Sequence, residues 1–500
     1  MESIGAIREK DLLSPVIVFA LSGKIGSGVS FVRDKLNQEL YTYGYKTELI
    51  DVTDMVLVSH YTEYSDDKSA GSVDGLEKAN RAKELQRRGN YLRERGGEDF
   101  IAKAVFSDFI YKDLKKDEGM DGRKAYIIDS LKNPAEAAFF RKVFGDAFYL
   151  IGVMADGGIR KNRLIERKNY TKDEYEEISA ADEGEQQGSY GQHSIDTIVE
   201  SDYFFENNFD TKDEIPKESE RLLRLIFRTG IDTPRMDEDG MNMAFLASLK
   251  SACLSRQVGA SIYSEKGEII ATGYNDVPKY LGGLYSAGNS IPDKRCWAHG
   301  AKCYNDNEKD KIIQDILGSF NKIFKEKCAD ISAELERDLF EVLSKSRVKK
   351  LLEFSRSIHA EMEAILSVAR KGVKGLAGAT LYCTTYPCHN CAKHIVGAGI
   401  KRLVYLEPYD KSLARQLHTD SISDASKDRV IDKLVFDSYK GVAPRRYGQF
   451  FSSSDVERKA DGMFVDNDRS RTQLFPVGAQ SKIEFNARLD AIYDEIDVNK

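Results

Sequence analysis

The chain has 500 residues, of which 41% are hydrophobic and 10% aromatic, so it has enough apolar material for two or three folded domains and is not disordered throughout. Lys and Arg total 74 against 81 Asp and Glu, a formal net charge of −7 at pH 7. This acidic balance disfavours proteins that coat duplex DNA or a membrane surface, because both tasks need a basic face. The 38 glycines and 10 prolines are too few for a collagen-like or linker-dominated chain.

The start of the chain shows neither a segment of transmembrane length nor a recognisable export signal. Its first apolar run, 15–21, is too short to span a bilayer and is typical of a buried strand. All seven cysteines lie in the second half of the chain. This odd number, without an export signal, predicts a cytoplasmic protein with no membrane partner, whose thiols bind metal or act in catalysis rather than forming disulfides.

The first half of the chain alternates strand and helix patterns. In chain order the predicted elements are strand 15–21, a glycine loop 23–30, helix 31–39, strand 47–52, strand 124–129, helix 136–144 and strand 147–154. This βαβ rhythm predicts a parallel sheet covered by helices. The charged segment after it has little apolar periodicity, so we expect a lid or insertion over about 155–200.

The second half begins after a predicted helix over 217–229 and the sequence Gly-Ile-Asp-Thr-Pro, which is typical of an inter-domain joint. The predicted elements after it are helix 242–254, strands 258–263 and 268–274, an insertion to about 349, a helix from 357, strand 379–384, a helix after 388 and strand 402–406. The sequence therefore predicts two α/β domains and a C-terminal extension, with boundaries 1–230, 231–450 and 451–500.

The glycine loop has the outline of a phosphate-binding loop, because it follows a strand and precedes a helix. Its backbone amides would bind an anion, and the hydroxyl of Ser30 would reach Mg²⁺. Val29 occupies the place of the usual lysine, and Lys24 offers a substitute cation. Asp129, at the end of an apolar strand, is the expected partner on the metal side. The predicted nucleotide-binding residues are Gly23, Lys24, Gly26, Ser27, Gly28, Val29, Ser30 and Asp129.

Three arginines of the charged segment, Arg160, Arg163 and Arg167, would close over the phosphates. The expected ligand is a nucleoside triphosphate with Mg²⁺. Binding is favoured over phosphoryl transfer, because the missing lysine normally stabilises the transferred charge. The alternative is a plain glycine turn beside a solvated basic helix face.

The strongest chemical signal is His-Ala-Glu at 359–361 followed by Pro-Cys-His-Asn-Cys at 387–391. The side chains of His359, Cys388 and Cys391 supply three ligands for Zn²⁺ and leave a fourth tetrahedral position open for water, as a catalytic zinc site requires. Glu361 is near enough to reach that water without binding the metal. The pattern is the H-x-E…P-C-x-x-C signature of zinc nucleobase deaminases. A lone C-x-x-C would instead favour a closed zinc site or a redox pair.

The second half resembles the deoxycytidylate deaminase family over about 241–407. The matching motifs, in the family's order, are Val-Gly-Ala at 258–260, Gly-Tyr-Asn-Asp-Val-Pro at 273–278, His-Ala-Glu at 359–361 and Tyr-Pro-Cys at 386–388. The resemblance implies a cytidine deaminase-like α/β/α sandwich and hydrolytic deamination of a cytosine base. Glu361 would carry a proton from the attacking water to ring N3 and then to the departing amine, and Asn275 would hold the sugar or base edge. Glu363 departs from the family, which often has Asn there.

The first half resembles the nucleoside monophosphate kinase group of P-loop proteins, and the fusion of two such halves resembles bacterial anti-phage dCTP deaminases. The resemblance implies an enzyme that converts dCTP to dUTP, and dCMP to dUMP, and so depletes free deoxycytidine nucleotides during infection. Because the glycine loop departs from that of a competent kinase, we expect the P-loop half to regulate the deaminase half. A homo-oligomer is expected, with a nucleotide or an inhibitory RNA as regulator.

Four further residues form a candidate second metal set, Cys253, Cys296, His299 and Cys303, since three thiols and an imidazole complete a tetrahedron. Cys253 lies in a context that resembles relatives with a structural zinc. The alternative is that these are ordinary cysteines, which are commonly buried.

Two other functions share the same motifs. A deaminase of single-stranded DNA or tRNA, acting on cytidine or adenosine, would need a basic track with stacking aromatics, and only Arg-Arg-Tyr at 445–447 and the segment 345–350 are compact candidates. A non-enzymatic nucleotide sensor with a structural zinc is disfavoured by Glu361, because a closed site needs no acid beside an open ligand position.

Overall fold

The computed structural model divides the chain into two compact units. Unit 1 comprises Met1–Glu238, Ser426–Asp428 and Ser438–Lys500, and unit 2 comprises Asp239–Ala425 and Arg429–Asp437. The structure describes the chain except for residues 1–14, 68–70, 117–122, 185–187, 209–212, 288–291, 328–331, 352, 410–411, 425–431, 453–457, 466–480 and 498–500.

Unit 1 is built on a parallel sheet whose strands are β1 Ile17–Gly23, β2 Lys46–Asp51, β3 Lys124–Asp129, β4 Phe148–Met154 and β5 Tyr203–Glu206. Their order across the sheet is β2-β3-β1-β4-β5, and a short strand, Gly441–Val442, pairs antiparallel with β5. The chain moves from β1 to one side of the sheet and from β3 to the other. A crevice therefore opens outside the carboxyl end of β1, where parallel α/β sheets bind ligands, and the glycine loop begins there.

Strand β1 is buried throughout and its side chains alternate between two cores, because helices cover both faces of this sheet. Val18 and Ala20 belong to one core, and Ile17, Phe19 and Leu21 to the other. The helices of unit 1 before the joint are α1 Val29–Thr42, α2 Tyr61–Tyr64, α3 Lys78–Gly96, α4 Phe100–Ala104, α5 Lys112–Lys116, α6 Pro134–Phe144, α7 Gly157–Asn162, α8 Lys172–Asp182, α9 Ser194–Val199 and α10 Glu214–Phe227. Among the described residues of the same region, the π-helical segments are Thr53–Ser59, Val105–Tyr111 and Arg163–Arg167.

The segment expected to be a lid or insertion is helical and has its own small apolar cluster. Leu164, Tyr170 and Ile178 pack with Ala79 of α3. These residues come from separate short elements, so their spacing in the sequence shows no single helical period. The charged composition of the segment reflects its outer faces.

Unit 2 has a mixed sheet with strands β6 Gly259–Tyr263, β7 Ile269–Tyr274, β8 Thr380–Thr385, β9 Arg402–Glu407, β10 Ile422–Asp424 and β11 Leu434–Ser438. Their order is β10-β11-β9-β8-β6-β7. Strand β6 runs antiparallel to β7 and β8, whereas β8 and β9 are parallel, as are β10 and β11. The α/β fold class expected from the sequence is confirmed in both units.

The helices from the joint onward are α11 Met236–Ser248, α12 Tyr304–Lys327, α13 Ala333–Ser344, α14 Ala360–Lys371, α15 His389–Gly397, α16 Ala414–Leu417, α17 Tyr447–Phe451 and α18 Lys482–Asp497. Helix α11 ends earlier than the predicted 254, because the following backbone bonds to unit 2 loops instead: the Ala252 N–H donates to the Asp276 carboxylate at 2.9 Å. No helix in the described part of the chain is both long and apolar enough to cross a membrane.

The C-terminal region differs from the sequence-based boundaries. Residues from Ser438 onward belong to unit 1 rather than to the second domain or a separate extension. Helix α18 explains this placement, because Phe485, Leu489 and Ile492 recur at helical spacing and are buried in a unit 1 core. In the sequence, the polar stretch before α18 hides this contribution to the core.

Replacing Phe485 by Ala tests whether α18 is part of the unit 1 core. The buried ring is fully shielded from solvent, so we expect its loss to lower the free energy of unfolding of unit 1 by about 3–5 kcal/mol. Ile483→Ala on the same helix is the matched control, because Ile483 is 76% exposed and should change stability by less than about 0.5 kcal/mol. Urea denaturation measures both, and equal effects of the two variants would contradict the packing of α18.

Candidate functional site

The first candidate site lies at the start of α14, and close packing against β7 sets its position. A Cβ atom at Gly273 of β7 would lie 2.3 Å from a carbonyl oxygen and 2.4 Å from an amide nitrogen of α14. Only glycine permits the helix backbone to lie so close to the strand. The Ile358 N–H, one residue before His359, also donates to the Asp276 carbonyl oxygen at 2.9 Å. The beginning of α14 is therefore fixed to β7 and the loop after it.

Two helix starts bring together the three predicted zinc ligands. His359 is the N-cap of α14, Cys388 is the N-cap of α15, and Cys391 lies in the first turn of α15. The Nδ1 atom of His359 lies 3.2 Å from the Cys391 Sγ and 3.4 Å from the Cys388 Sγ. The ligand atoms of these three residues all lie within 4.8 Å of one another, and among the described residues no other group of His, Cys, Asp and Glu side chains does so.

Hydrogen bonds within the trio shift its proton affinities. The pKa of the Cys388 thiol is lowered to about 4, chiefly because Cys391 donates a hydrogen bond to it and also because His359 lies beside it. The pKa of His359 is raised to about 9 by its hydrogen bond to Cys388. The pKa of Cys391 is raised well above its usual value by the hydrogen bond it makes to Cys388 and by burial. One thiolate is therefore present before metal binding, and a metal would displace the other protons.

The donor chemistry of the trio fits Zn²⁺. An imidazole nitrogen and two thiolate sulfurs are ligands that zinc prefers, and three protein ligands are the number found in catalytic rather than structural sites. The thiolates also lie at a helix N-terminus, where the backbone dipoles favour negative charge. The arrangement can therefore hold a zinc ion with one position open to a small molecule.

A buried carboxyl group stands beside the trio. Glu361 is only 4% exposed, and burial raises its pKa, opposed in part by the charge of His359. A carboxyl group with a raised pKa can accept and return a proton near neutral pH. Glu363 on the same helix differs, because its carboxylate forms an ion pair with Arg370. Glu361 is therefore the carboxyl group suited to proton transfer at this site.

Asn275, predicted to bind substrate, is held by the loop before β6. Its Oδ1 accepts from the Val258 N–H at 2.7 Å, and its Nδ2 donates to the Arg256 carbonyl oxygen at 2.9 Å. The buried amide therefore fixes the backbone of that loop. Its contact with substrate stays a prediction.

The candidate second metal set is assembled only in part. Burial raises the pKa of Cys296, and Cys253 and Cys303 lie close enough to raise it further. His299 stacks against Tyr304 with ring centroids 6.2 Å apart, and the four ligand atoms do not form a group within 4.8 Å of one another. Metal binding there stays a prediction. The seventh cysteine, Cys328, lies outside the described residues.

The second candidate site is the glycine loop of unit 1, which opens into a cavity of about 880 Å³. Gly26 and Gly28 have φ angles of +83° and +85°, a backbone that glycine adopts readily, and α1 begins directly after them. The Ser30 hydroxyl donates to the Asp129 carboxylate at 3.2 Å. Arg33 donates to the same oxygen at 2.9 Å. The predicted serine and aspartate therefore meet at the carboxyl end of β1.

Of the other predicted residues of the loop, several line the cavity, whereas the lysine is paired with an acidic side chain. Gly23 is buried at the end of β1, Val29 is the first residue of α1, and both line the cavity with Ser27. The substitute cation Lys24 forms an ion pair with Glu183 at 2.9 Å. Arg163 donates to carbonyl oxygens of the loop and, like Arg167, lines the cavity.

Two acidic residues at the loop were missed by sequence reasoning. Asp182 accepts from the Ile25 N–H at 2.8 Å and from the Lys132 ammonium at 2.9 Å, and its pKa is lowered despite burial, chiefly by Lys132. Glu183 is the partner of Lys24. The two residues are consecutive at the end of α8. Negative charge is unfavourable at the C-terminus of a helix, and this unfavourable pair is the one feature of the sequence that could have pointed to them. Their contact with a loop 157 residues away has no sequence signature.

The chain is similar to known deaminases over the region that contains the first site. Residues 234–407 match the family model of the cytidine and deoxycytidylate deaminase zinc-binding region. The deoxycytidylate deaminase of Enterobacteria phage T2 is 38% identical over 174 residues, which cover 34% of this chain and 80% of the phage protein. The phage T4 enzyme is 38% identical over 176 residues, covering 34% and 78%. The Saccharomyces cerevisiae deoxycytidylate deaminase is 28% identical over 203 residues, covering 41% and 46%.

Solved structures similar to the chain include a deaminase and a kinase. The dCMP deaminase from cyanophage S-TIM5 in complex with dCMP and dUMP is 20% identical, with a TM-score of 0.23, and the match covers 41% of this chain and 98% of that chain. The shikimate kinase from Aquifex aeolicus is 15% identical, with a TM-score of 0.22, and the match covers 42% and 96%.

Removing one ligand of the trio tests the metal centre. We expect Cys391→Ser to lose one equivalent of zinc per chain relative to the unmodified protein, because a hydroxyl is a much weaker zinc ligand than a thiolate. Zinc content after gel filtration is measured by plasma mass spectrometry. Cys383→Ala is the matched control, since this buried thiol lies nearby but its pKa is raised well above the usual value by burial. If the control loses the same equivalent, or Cys391→Ser keeps it, the trio does not hold zinc.

Proposed function

The chain belongs to the cytidine and deoxycytidylate deaminase family, and we propose that it hydrolyses free deoxycytidine nucleotides, converting dCTP to dUTP and dCMP to dUMP with release of ammonia. The observation that carries the proposal is the buried carboxyl group of Glu361 beside the His359, Cys388 and Cys391 trio. A closed, structural zinc site needs no such proton carrier. A carboxyl group with a raised pKa beside an open ligand position serves hydrolysis.

The chemistry divides between the metal and the protein. Zn²⁺ bound to His359, Cys388 and Cys391 would supply a Lewis acid that lowers the pKa of bound water from 15.7 to about 7. Glu361 accepts a proton from the attacking water and delivers it to ring N3 as the C4–O bond forms. It then takes the proton of the new C4 hydroxyl group and passes it to the exocyclic amine, so that ammonia leaves as the C4–N bond breaks and the C4 carbonyl forms. The raised pKa of Glu361 suits a group that must act as base and acid in turn.

Charge pairing disfavours the alternative of a polynucleotide deaminase. In one of the two basic segments, Arg445 pairs with Glu200 and the buried Arg446 with Asp202, at 2.6 and 2.9 Å. In the other, Lys345 pairs with Glu341. Lys349 likewise pairs with Asp310. A track that binds single strands needs cations available to phosphates, and these side chains are neutralised by the chain itself.

We further propose that unit 1 is a P-loop domain of the kinase type that binds a nucleoside triphosphate with Mg²⁺ and regulates the deaminase. The contact between Ser30 and Asp129 supports this role, because a hydroxyl and a carboxylate meet where Mg²⁺ would bridge to a phosphate. In this proposal, nucleotide occupancy or release of an inhibitory RNA activates a homo-oligomer that depletes dCTP during phage infection.

Replacing Glu361 by Gln tests the deaminase. The amide keeps the shape of the side chain but cannot carry the proton, so we expect product formation to fall by about 10²–10⁴-fold while the zinc content stays unchanged. The assay separates uracil products by chromatography after incubation with dCTP, dCMP, CTP and deoxycytidine side by side.

Glu363→Gln is the matched control for this variant, since Glu363 is an equally buried carboxylate on the same helix that is paired with Arg370. It should keep activity within about tenfold of the unmodified enzyme. Full activity of Glu361→Gln, or absence of uracil product from every substrate with the zinc-loaded unmodified enzyme, would refute the proposal. In infected cells, the fall in the dCTP pool should depend on Glu361 in the same way.

Replacing Ser30 by Ala tests the nucleotide site of unit 1. Loss of the hydroxyl removes a Mg²⁺ ligand, so we expect Mg²⁺-dependent binding of ATP or dCTP to weaken at least about tenfold. Displacement of a fluorescent nucleotide measures this, with Thr42→Ala at the opposite, exposed end of α1 as the control. Unchanged affinity in Ser30→Ala would remove the assigned role of this residue.

A further inference from the structure

The insertion between β7 and α14 contains a pair of helices with partly uncovered apolar faces. The pair consists of α12 and α13, whose connection, 328–331, lies outside the described residues. Asn321 of α12 donates to the Glu336 carboxylate of α13 at 3.4 Å, so the two helices lie side by side. We call α12 and α13 together the insertion hairpin.

The apolar stripe of α12 is buried in its first half and exposed in its second. Ile313, Leu317, Phe320 and Phe324 recur at helical spacing and therefore share one face of the helix. Ile313 is fully buried and Leu317 is 3% exposed, whereas Phe320 is 42% and Phe324 37% exposed. The adjacent Ile323 is 50% exposed. One continuous stripe is thus covered by the chain only over its first half.

Helix α13 has an apolar face that the chain does not cover. The structure describes every residue of this helix, and none of them is buried. Leu335, Leu339 and Val342 recur at helical spacing, and Leu335 is 41% and Val342 64% exposed. A single exposed apolar side chain is ordinary, but a cluster on two adjacent helices is typical of a surface that another molecule covers.

Opposite charges lie at the connected end of the insertion hairpin. Lys322 and Lys325 are exposed near the end of α12, and Glu334 and Glu336 are exposed at the start of α13. Over its whole length, α13 has four acidic residues and one arginine. A surface with one basic and one acidic helix end is complementary in charge to a copy of itself.

A two-fold axis parallel to the helices would match these charges. Such an axis lays α12 of each copy over α13 of the other and keeps the connected ends together. The two lysines of one copy would then face the two glutamates of the other, and the four helices would form a bundle with the same contact made twice. A partner with one sign of charge would instead attract one helix and repel the other.

The small size of the face favours a neighbour that other contacts already hold close. The twelve residues of α13 extend about 18 Å, and two helices side by side are about 20 Å wide. Their face of about 360 Å² is less than half of the roughly 800 Å² that each partner of a stable independent complex buries. A second copy inside an oligomer has a high effective concentration, so a small face is sufficient there.

We infer that the insertion hairpin is an interface between copies of this chain, in which α12 of one copy packs against α13 of a second copy and the exposed apolar residues of both helices are buried. The inference rests on the homo-oligomer proposed above and names one of the surfaces that form it. The proposed deamination does not depend on it.

Photo-cross-linking of the full-length chain tests what covers the hairpin. The probe is p-benzoylphenylalanine in place of Phe324. We expect a product of twice the chain mass of 56.3 kDa on a denaturing gel, and mass spectrometry should place the new bond in α13 of the second chain. The same probe in place of Tyr41, which is 80% exposed on α1, is the control and should give no bond to α13.

Charge reversal in the probe-bearing chain tests the pairing of the two helices. Lys322→Glu with Lys325→Glu, or Glu334→Lys with Glu336→Lys, brings like charges together between copies, so each pair should lower the yield of cross-linked dimer at least about fivefold. All four substitutions in one chain restore opposite charges and should return the yield to within about twofold of the original. Lys311→Glu, in the first half of α12 and 61% exposed, is the matched control and should leave the yield unchanged.

Light scattering of the unmodified chain separates failure of the inference from failure of the proposed oligomer. An oligomer that gives no dimer cross-link, or cross-links only within one chain, would overturn the inference alone. So would a dimer yield that charge reversal leaves unchanged, or one that the fourfold variant does not restore although circular dichroism shows its helices intact. A monomer that deaminates dCTP would overturn the inference and the homo-oligomer together, with the deaminase unaffected.

Discussion

The close packing of α14 on β7 at Gly273 is the contact on which the metal centre depends. With no Cβ atom at that position, the helix backbone lies directly against the strand, and the first turn of α14 is held in a fixed place. In the same sheet, only β6 lies between β7 and β8, and α15 begins soon after β8 ends. The two helix starts therefore meet, and an imidazole and two thiols approach within hydrogen-bonding distance. A side chain at residue 273 would push α14 away and separate His359 from the cysteines.

The same packing decides the protonation of the site. Because Glu361 is buried in the first turn of α14, water is excluded from its carboxyl group and its pKa is raised. At Cys388, the N-cap of α15, the shift has the opposite direction, since hydrogen bonds from Cys391 and His359 lower the pKa of its thiol to about 4. One helix start thus holds a proton carrier and the other holds a thiolate. Proton transfer and metal binding are assigned to different groups by burial and hydrogen bonding rather than by residue type alone.

The metal trio could be predicted from local sequence patterns, whereas the long-range contacts could not. Cys388 and Cys391 are one helical turn apart, and the segment between His359 and Cys388 contains one helix, α14, and one strand, β8, so the motif constrains the geometry closely. The parallel sheet of unit 1 also follows from its strand and helix rhythm. The contact between Asp182 and the backbone of Ile25 joins residues 157 positions apart, and the burial of Phe485 in unit 1 depends on a helix beyond a polar stretch. The first contact leaves no signal in the sequence. Phe485, Leu489 and Ile492 do recur at helical spacing, but this period does not show which core the helix joins, because that depends on how the finished fold brings distant segments together.

The glycine loop shows how such a distant contact changes the meaning of a motif. From the sequence, Lys24 is a cation available to phosphate, but in the structure Glu183 neutralises it, and Asp182 accepts the N–H of Ile25. An incoming phosphate would therefore meet a lysine that is already paired, and would gain less from Lys24 than the motif alone suggests. Arg163, which lines the cavity, already donates to carbonyl oxygens of the loop. Affinity for the nucleotide proposed to bind unit 1 would therefore have to come in part from cavity residues outside the loop, among which are the cationic side chains of Lys78 and Lys168.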